Sequence, residues 1–396
     1  MEIGELRKIA LSLLKNIDGF ETRDIKSEIE RSLDAGPRIK ILRGFRGVGK
    51  TTLMLQLFNE KKERSIYLST DWPFVTKTGL YEIIRSLVEA GYTLLFIDEV
   101  HKSPNWRDEI KSIHDQFAQI TLVCSGSAAL AFTPDRREIV FDIEPMTLGE
   151  YLRLRYHVST PASAETWNKK EAIDVVAMLY PRIEGWFFEY VEYGGFPVSL
   201  IPNYSSDDVM NAIYFAIMKS VREDSVSFLK LSNEKIFAME KLLIFFATSS
   251  PGELSITSLS SSLRISKTVV YEIIDALINM KLLRLIRPSS SGAALVRGEP
   301  KLIFTHPNLR VAICKQLKES YNFGAVREEL AVFGFVRKGW KINTIKGAKK
   351  SPDYILETGK QKLVVEIGGA SKNRSQLAGF ENIMLIKDEQ IITLLL

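Results

Sequence analysis

One stretch constrains this chain more than any other: residues 38–52, in which Gly44, Gly49, Lys50 and Thr51 occupy every fixed position of the pattern G-x-x-x-x-G-K-[ST]. Ile39 to Leu42 is a short apolar run that reads as a buried strand feeding a tight turn. Gly44, Gly47 and Gly49 can take backbone angles closed to other residues, so successive N–H groups from Gly44, Phe45, Arg46, Gly47, Val48, Gly49, Lys50, Thr51 and Thr52 can converge on phosphate oxygens. The positive end of the following helix, amphipathic from Leu53 to Phe58, adds to the attraction. Lys50 supplies a point charge for the outer phosphates, and the Thr51 hydroxyl is placed to ligate Mg²⁺. The stretch predicts a site for ATP or ADP with Mg²⁺.

At 396 residues the chain exceeds one ordinary core, and length alone predicts two to four domains. No apolar run nears the roughly 20 residues that cross a bilayer, and Met1-Glu2-Ile3-Gly4-Glu5 lacks the basic-then-apolar layout of a secretion signal. The expected location is cytoplasmic, with no membrane partner. Two cysteines, Cys124 and Cys314, argue against a disulfide framework or thiolate zinc site. His101, His114, His157 and His306 show no metal-ligand spacing. A net charge of +5 is too mild to identify a nucleic-acid binder.

Helical spacing marks Leu6 to Leu14, and a second helix is predicted over Thr22 to Leu33. Ser65 to Asp71 alternates as a strand ending in polar groups that could face a nucleotide. After a helix near Gly79 to Ala90, Leu94-Leu95-Phe96-Ile97 followed by Asp98-Glu99 has the form of a strand buried on both faces whose carboxyl end reaches a site. Asp98 would hold the Mg²⁺ hydration shell, and Glu99 would orient and partly deprotonate an attacking water. A helix near 104–117 precedes another buried strand, Ile120 to Cys124, ending in Ser125-Gly126-Ser127, where a hydroxyl could sense the γ-phosphate. Arg136-Arg137 then leads a fifth strand, Glu138 to Ile143, completing the alternation of an open, doubly wound parallel sheet. These arginines, Arg137 among them, are the nearest candidates for a transition-state cation.

With these motifs in place, the chain resembles ATPases of the AAA+ superfamily, and within it the archaeal/bacterial ATPase family. The resemblance is carried by Gly44 to Thr51, by Leu94 to Glu99, by Ser125-Gly126-Ser127, by Glu144 to Leu152 (similar to a "P-L-S-F-x-E-[FY]-L" segment) and by Tyr193-Gly194-Gly195-Phe196-Pro197. It implies that Lys50 and Thr51 bind phosphate and Mg²⁺, Asp98 supports the metal, Glu99 activates water, and Ser127 or Ser125 senses the γ-phosphate. The family usually shows Gly-Arg before the Glu144-like strand. Here Asp135-Arg136-Arg137 stands there, leaving open which arginine corresponds.

The expected organisation is a P-loop core over residues 1–150, a helical lid over 151–235, a winged helix over 236–310 and a nuclease-like α/β domain over 311–396. The lid carries Trp186, Phe187, Phe188, Tyr190 and Tyr193 in one aromatic stretch that reads as core. The winged helix is read from three helices, the last opened by Ser266 as N-cap, and two strands around a Ser-Gly turn. Lys267, Lys281, Arg284, Arg287 and Arg297 could meet DNA phosphates, although Glu272 and Asp275 on the last helix disfavour a DNA-reading face. The final domain carries basic residues Arg337, Lys338, Lys341, Lys346, Lys349 and Lys350, and its layout resembles a PD-(D/E)xK nuclease fold through Pro352-Asp353, Glu366 and Glu328 or Glu329. Gly368 stands where that motif has lysine, so a degenerate nuclease is expected, with Lys372 a substitute only if the chain folds it back. The expected function is a Mg²⁺-dependent ATPase working as a switch, associated with DNA and able to assemble with its own copies. The alternatives are a nucleotide-binding scaffold that scarcely hydrolyses, and an ATP-regulated nuclease.

Overall fold

The computed structural model describes residues 3–36, 38–127, 136–161, 166–225, 231–249, 255–289, 300–345, 352–359, 361–369 and 371–396. Asp135, Arg297, Lys346, Lys349, Lys350, the predicted Ser-Gly turn and the side chain of Ser127 lie outside the described residues. The chain forms two compact units, Met1–Glu144 and Pro145–Leu396.

In the first unit five short apolar runs become β1 (Ile39–Gly44), β2 (Ser65–Ser69), β3 (Leu94–Asp98), β4 (Thr121–Ser127) and β5 (Glu138–Asp142). All neighbouring pairs are parallel, in the order β2-β3-β4-β1-β5. Because strand side chains alternate faces, the register sorts the core into two layers. Ile66, Leu95, Leu122 and Ile39 form one row, with Leu68, Ile97, Cys124 and Ile41 beside it, packed with Ile83, Ile84 and Leu87 of helix Leu80–Glu89 and Ile110 and Ile113 of helix Trp106–Gln116. The intervening row, Tyr67, Phe96, Val123 and Lys40, points the other way, where Phe58 of helix Lys50–Glu60 meets Tyr67 and Phe96 with ring centroids 6.4 Å from each. Helices therefore cover both faces of a parallel sheet, the doubly wound arrangement expected from the sequence. The helix predicted from Thr22 starts only at Lys26; just ahead of it Gln56 Nε2 takes the carbonyls of Phe20 and Glu21, donating at 3.1 and 3.2 Å.

Lys40 is the anomaly of that second row. It is fully buried, with Nζ donating to Gly36 O at 2.7 Å, and burial followed by repulsion from Arg38 pushes its pKa down to about 8.

In the second unit the segments that read as separate modules are tied together. The helices Asn233–Thr248, Ile256–Leu263 and Lys267–Asn279 precede an antiparallel pair, β6 (Leu283–Ile286) and β7 (Lys301–Phe304). Ser266 accepts from Val269 N at 3.3 Å, the N-cap predicted for the third helix. Helix Phe323–Arg337 then leads into β8 (Lys341–Asn343), β9 (Tyr354–Thr358), β10 (Gln361–Ile367) and β11 (Ile383–Ile386), a sheet ordered β11-β10-β9-β8 with only the β10–β11 pair parallel. Of the aromatic stretch, Phe187 and Tyr190 are buried whereas Phe188 is 56% exposed.

Two contacts explain why the unit does not split. Gly195 N donates to Asn308 Oδ1 at 2.7 Å, and a Cβ at Gly195 would strike His306 and Asn308, so the Gly-Gly-Phe-Pro turn is a docking face for a segment over a hundred residues later. Arg310, 2% exposed, meets Glu329 at 2.7 Å and donates to the carbonyls of Phe246, Ala247 and Ser249, at the carboxyl end of helix Asn233–Thr248. Burial pushes the Glu329 carboxyl up, and Arg310 opposes that shift. Among the described residues no helix is long and apolar enough to cross a membrane.

Two stability predictions follow from these buried charges. Arg310→Met strands Glu329 and the carbonyls it capped, and is expected to cost about 3–5 kcal/mol, read as a lowered urea midpoint; an unchanged midpoint would contradict the packing described. For Lys40 the folded pKa lies below the unfolded value of 10.5, so the folded state releases its proton first and stability rises with pH between about 8 and 10.5. Lys40→Met should therefore be the more stable protein below pH 8, by about 1–3 kcal/mol, and the advantage should shrink through that window; a constant difference across pH would show that Lys40 carries no burial cost.

Candidate functional site: a phosphate cradle facing Asp98

The turn after β1 is shaped by apolar anchors as much as by glycine. Phe45 and Val48 are buried, and they fix the loop to the unit. Gly47 and Gly49 have φ of 87° and 93°, a region that costs other residues strain. Gly44 is required for a different reason: a Cβ there would strike the carbonyl oxygen of Ile143. Helix Lys50–Glu60 starts directly after Gly49, so its first unpaired N–H groups open onto the same concavity. Lys50, 5% exposed, donates to Gly44 O at 2.9 Å and Phe45 O at 3.1 Å. Its charge rests on the rim of the turn, where an anion would be met.

Asp98, at the carboxyl end of β3, is the hub opposite. Its Oδ2 accepts from Thr51 Oγ1 and from Tyr67 OH, each at 2.7 Å, and its Oδ1 accepts from Ser125 Oγ and from Glu99 N. A hydroxyl and a carboxylate in contact beside the cradle are hard oxygen donors of the kind Mg²⁺ takes, so the residues present fit that ion. Tyr67 was legible only as part of a strand with a polar end. Its ring packs on Phe58 while its hydroxyl reaches Asp98, a role that needed the register of β2 against β3.

Glu99 sits just beyond the sheet with φ 51°, uncommon for a residue with a side chain. The Thr70 hydroxyl donates to its carbonyl, and Thr70 N donates to Asp98 O at 3.0 Å, which holds this turn. Burial pushes the Glu99 carboxyl up, Lys50 opposes, and Asp98 adds to the rise. Oε2 of Glu99 is buried without a hydrogen-bond partner and lies 3.2 Å from His101 Nε2. At that spacing a protonated imidazole would form an ion pair. Burial and then the charges of Lys50, Lys102 and Arg46 push His101 down to about 3, so the ring is neutral and the contact is not one between opposite charges. What remains is a proton acceptor stronger than a solvated carboxylate, held beside the cradle.

The register also decides the other predicted residues. Gly44 pairs with Ser127, which puts the backbone of Ser127 at the mouth of the cradle. Ser125 is committed to Asp98. Arg137 is not brought to the site: it precedes Glu138, which pairs with Ile39, so it lies at the opposite end of β1, about 16 Å of strand away from Gly44. There it is bound to Asp115, Nε to Oδ1 at 2.8 Å. Within this chain it is excluded as a partner of the cradle. The sequence reading missed Arg23, which donates to Val48 O at 2.8 Å and to Glu144 O at 3.0 Å, braces the loop from behind and ties it to the last residue of the unit. No local pattern marks it, since its partners are 25 and 121 residues distant.

Residues 36–152 match the AAA domain family. An uncharacterized protein of Methanocaldococcus jannaschii is 25% identical over 391 residues, covering 90% of this chain and 81% of that protein. Among solved structures, the Thermotoga maritima RuvB Holliday junction branch migration motor aligns with a TM-score of 0.34 at 17% identity, covering 76% of this chain and 96% of that one. A mutant of that motor aligns at 0.35 and 19%, with the same coverage. The Asp98 hub can be tested without any ligand. Asp98→Ala removes the acceptor of three hydroxyls at once and should lower stability by about 2–4 kcal/mol in the absence of nucleotide, measured by denaturant unfolding; a neutral substitution would mean that those hydroxyls do not depend on it. The cradle after β1 and the acidic end of β3 both lie within residues 36–152, the span that is similar to the AAA domain family, on a five-stranded parallel sheet of the P-loop kind.

Proposed function

We propose that the protein is a Mg²⁺-dependent ATPase that works as a molecular switch. The observation carrying this reading is the placement of Thr51 and Asp98 in contact at the edge of the glycine cradle, with Glu99 half-buried one residue further on. In this reading the loop amides and Lys50 bind the phosphates of ATP, and Thr51 with Asp98 holds Mg²⁺, which when bound draws charge from the phosphate oxygens. Glu99 aligns a water and accepts its proton at Oε2, and the elevated carboxyl pKa makes that transfer easier. Backbone or side-chain groups near Ser127 would sense the terminal phosphate.

Arg23 supports the switch. It joins the phosphate loop at Val48 to Glu144, the residue at which the chain leaves the first unit, so a shift of the loop pulls directly on the exit point. The second unit would be the responding part. Its three helices and antiparallel pair have the outline of a winged helix, and helix Phe323–Arg337 with β8 to β11 has the order of a nuclease-like fold. DNA is the proposed partner, through Lys267, Lys281, Arg284 and Arg287 and the basic residues from Arg337 to Lys341. Glu272, which disfavoured a DNA-reading face, is paired with Lys235. We place the protein in the cytoplasm, and assembly of copies would supply the transition-state cation that Arg137 does not supply to the cradle of its own chain.

Steady-state and single-turnover assays test the reading. Glu99→Gln is expected to lower the hydrolysis rate by about 10²–10⁴-fold while ATP affinity stays within a few-fold, and Lys50→Ala is expected to lower affinity itself. If wild type bound ATP but turned it over no faster than Glu99→Gln, the protein would be a nucleotide-binding scaffold and not an ATPase.

A further inference from the structure

In the second unit, Gly368 leaves a gap beside β10 that a later residue fills. A Cβ at position 368 would run into Cβ, Cγ and Cδ of Lys372, so the stem of Lys372 lies where a side chain from 368 would stand. At its tip, Nζ is 2.6 Å from Glu366 Oε1. Glu366 is 2% exposed, and its Oε2 accepts from Asp353 N at 3.2 Å, while Asp353 Oδ2 accepts from Ile367 N at 2.7 Å. Each carboxylate is thus tied to the backbone beside the other, a rigid pair with one oxygen of Glu366 turned to the ammonium. The environment agrees. Burial and the charge of Asp353 push the Glu366 carboxyl up, with Lys372 opposing, and the bond to Glu366 raises Lys372, helped by the charges of Asp353 and Glu328. Glu328 itself is held by Lys301 and by Tyr354 OH at 2.5 Å.

Two carboxylates each bonded to the backbone beside the other are stabilised by a cation or by a proton on one of them, and oxygen donors of this type suit a hard divalent ion. A nuclease-like fold implies such an ion here, but the Lys372 ammonium already stands against Glu366. Among the described residues no three His, Cys, Asp or Glu converge as metal ligands, and at this point two acids and an ammonium do. We propose that Lys372 is the resident cation of the Asp353–Glu366 pair, occupying the position of a divalent metal and excluding it. The ammonium is tethered four residues from Gly368 and arrives without shedding a tight inner hydration shell, whereas Mg²⁺ dehydrates reluctantly. The chain thus folds Lys372 back to the place of the lysine that Gly368 lacks. This inference does not depend on the nucleotide reading of the first unit.

Mn²⁺ binding, followed by water-proton relaxation and by thermal melting in the absence of nucleotide, tests it. Lys372→Met keeps the stem that covers Gly368 and removes the charge; Lys372→Arg keeps a charge. Wild type and Lys372→Arg should show the same weak background. Lys372→Met should gain one Mn²⁺ site roughly tenfold tighter or more, with a melting temperature that Mn²⁺ raises, and the gain should vanish in Lys372→Met combined with Glu366→Gln. Because Lys372 is partly exposed, the Met variant is expected to fold, and Lys372→Ala provides an independent check. Wild type binding Mn²⁺ as tightly as Lys372→Met would overturn the proposal, as would no gain in either uncharged variant.

Discussion

The carboxylate of Asp98 is the interaction on which the nucleotide-facing end of the first unit depends. It receives hydroxyls from Tyr67 on β2, Ser125 on β4 and Thr51 on helix Lys50–Glu60, so a single charged acceptor fastens three elements to β3. Hydrogen bonds to an ionised group are worth more than neutral ones, about 1.5–3 kcal/mol each, and here they converge where the strands end and backbone pairing stops. The consequence for chemistry is positional. Thr51 bonds one carboxylate oxygen of Asp98 and the Glu99 backbone N–H the other, beside the cradle that begins at Gly44.

The same economy of few, buried polar anchors governs the second unit. His306, Asn308 and Arg310, within five residues of chain, reach Tyr190, Val191, Gly195, the end of helix Asn233–Thr248 and Glu329. His306 is neutral because burial pushes it to about 3, which lets it act as a partner of Tyr190 OH at 2.9 Å without a buried charge. Segments that differ in composition and periodicity, and that look like successive modules along the chain, are thereby joined in one compact body.

Much of the candidate site was legible in advance because it is local. The phosphate loop packs its chemistry into eight consecutive residues, and the Asp98-Glu99 pair follows four apolar residues that read as a buried strand once they are seen downstream of that loop. Ser266 was readable as an N-cap for the same reason. Arg137 misled because adjacency in sequence to a fifth strand says nothing about which end of the strand faces the cradle; the parallel register with β1 sends it to the far end, to Asp115. Tyr67, His101 and Arg23 have no signature of their own, since each is defined by a partner brought to it by packing.

The sequence by itself determined the local rules: where glycine permits a turn, where an apolar run must be buried, which hydroxyl and which acids lie within reach of a phosphate. The tertiary structure decided everything that requires two distant segments to share space. It set the burial that lifts Glu99, neutralises His101 and depresses Lys40, and it chose Lys372 to fill the space left by Gly368. The physical reason is that dielectric environment and charge proximity belong to the folded arrangement, whereas backbone preference and hydrophobic periodicity are written residue by residue.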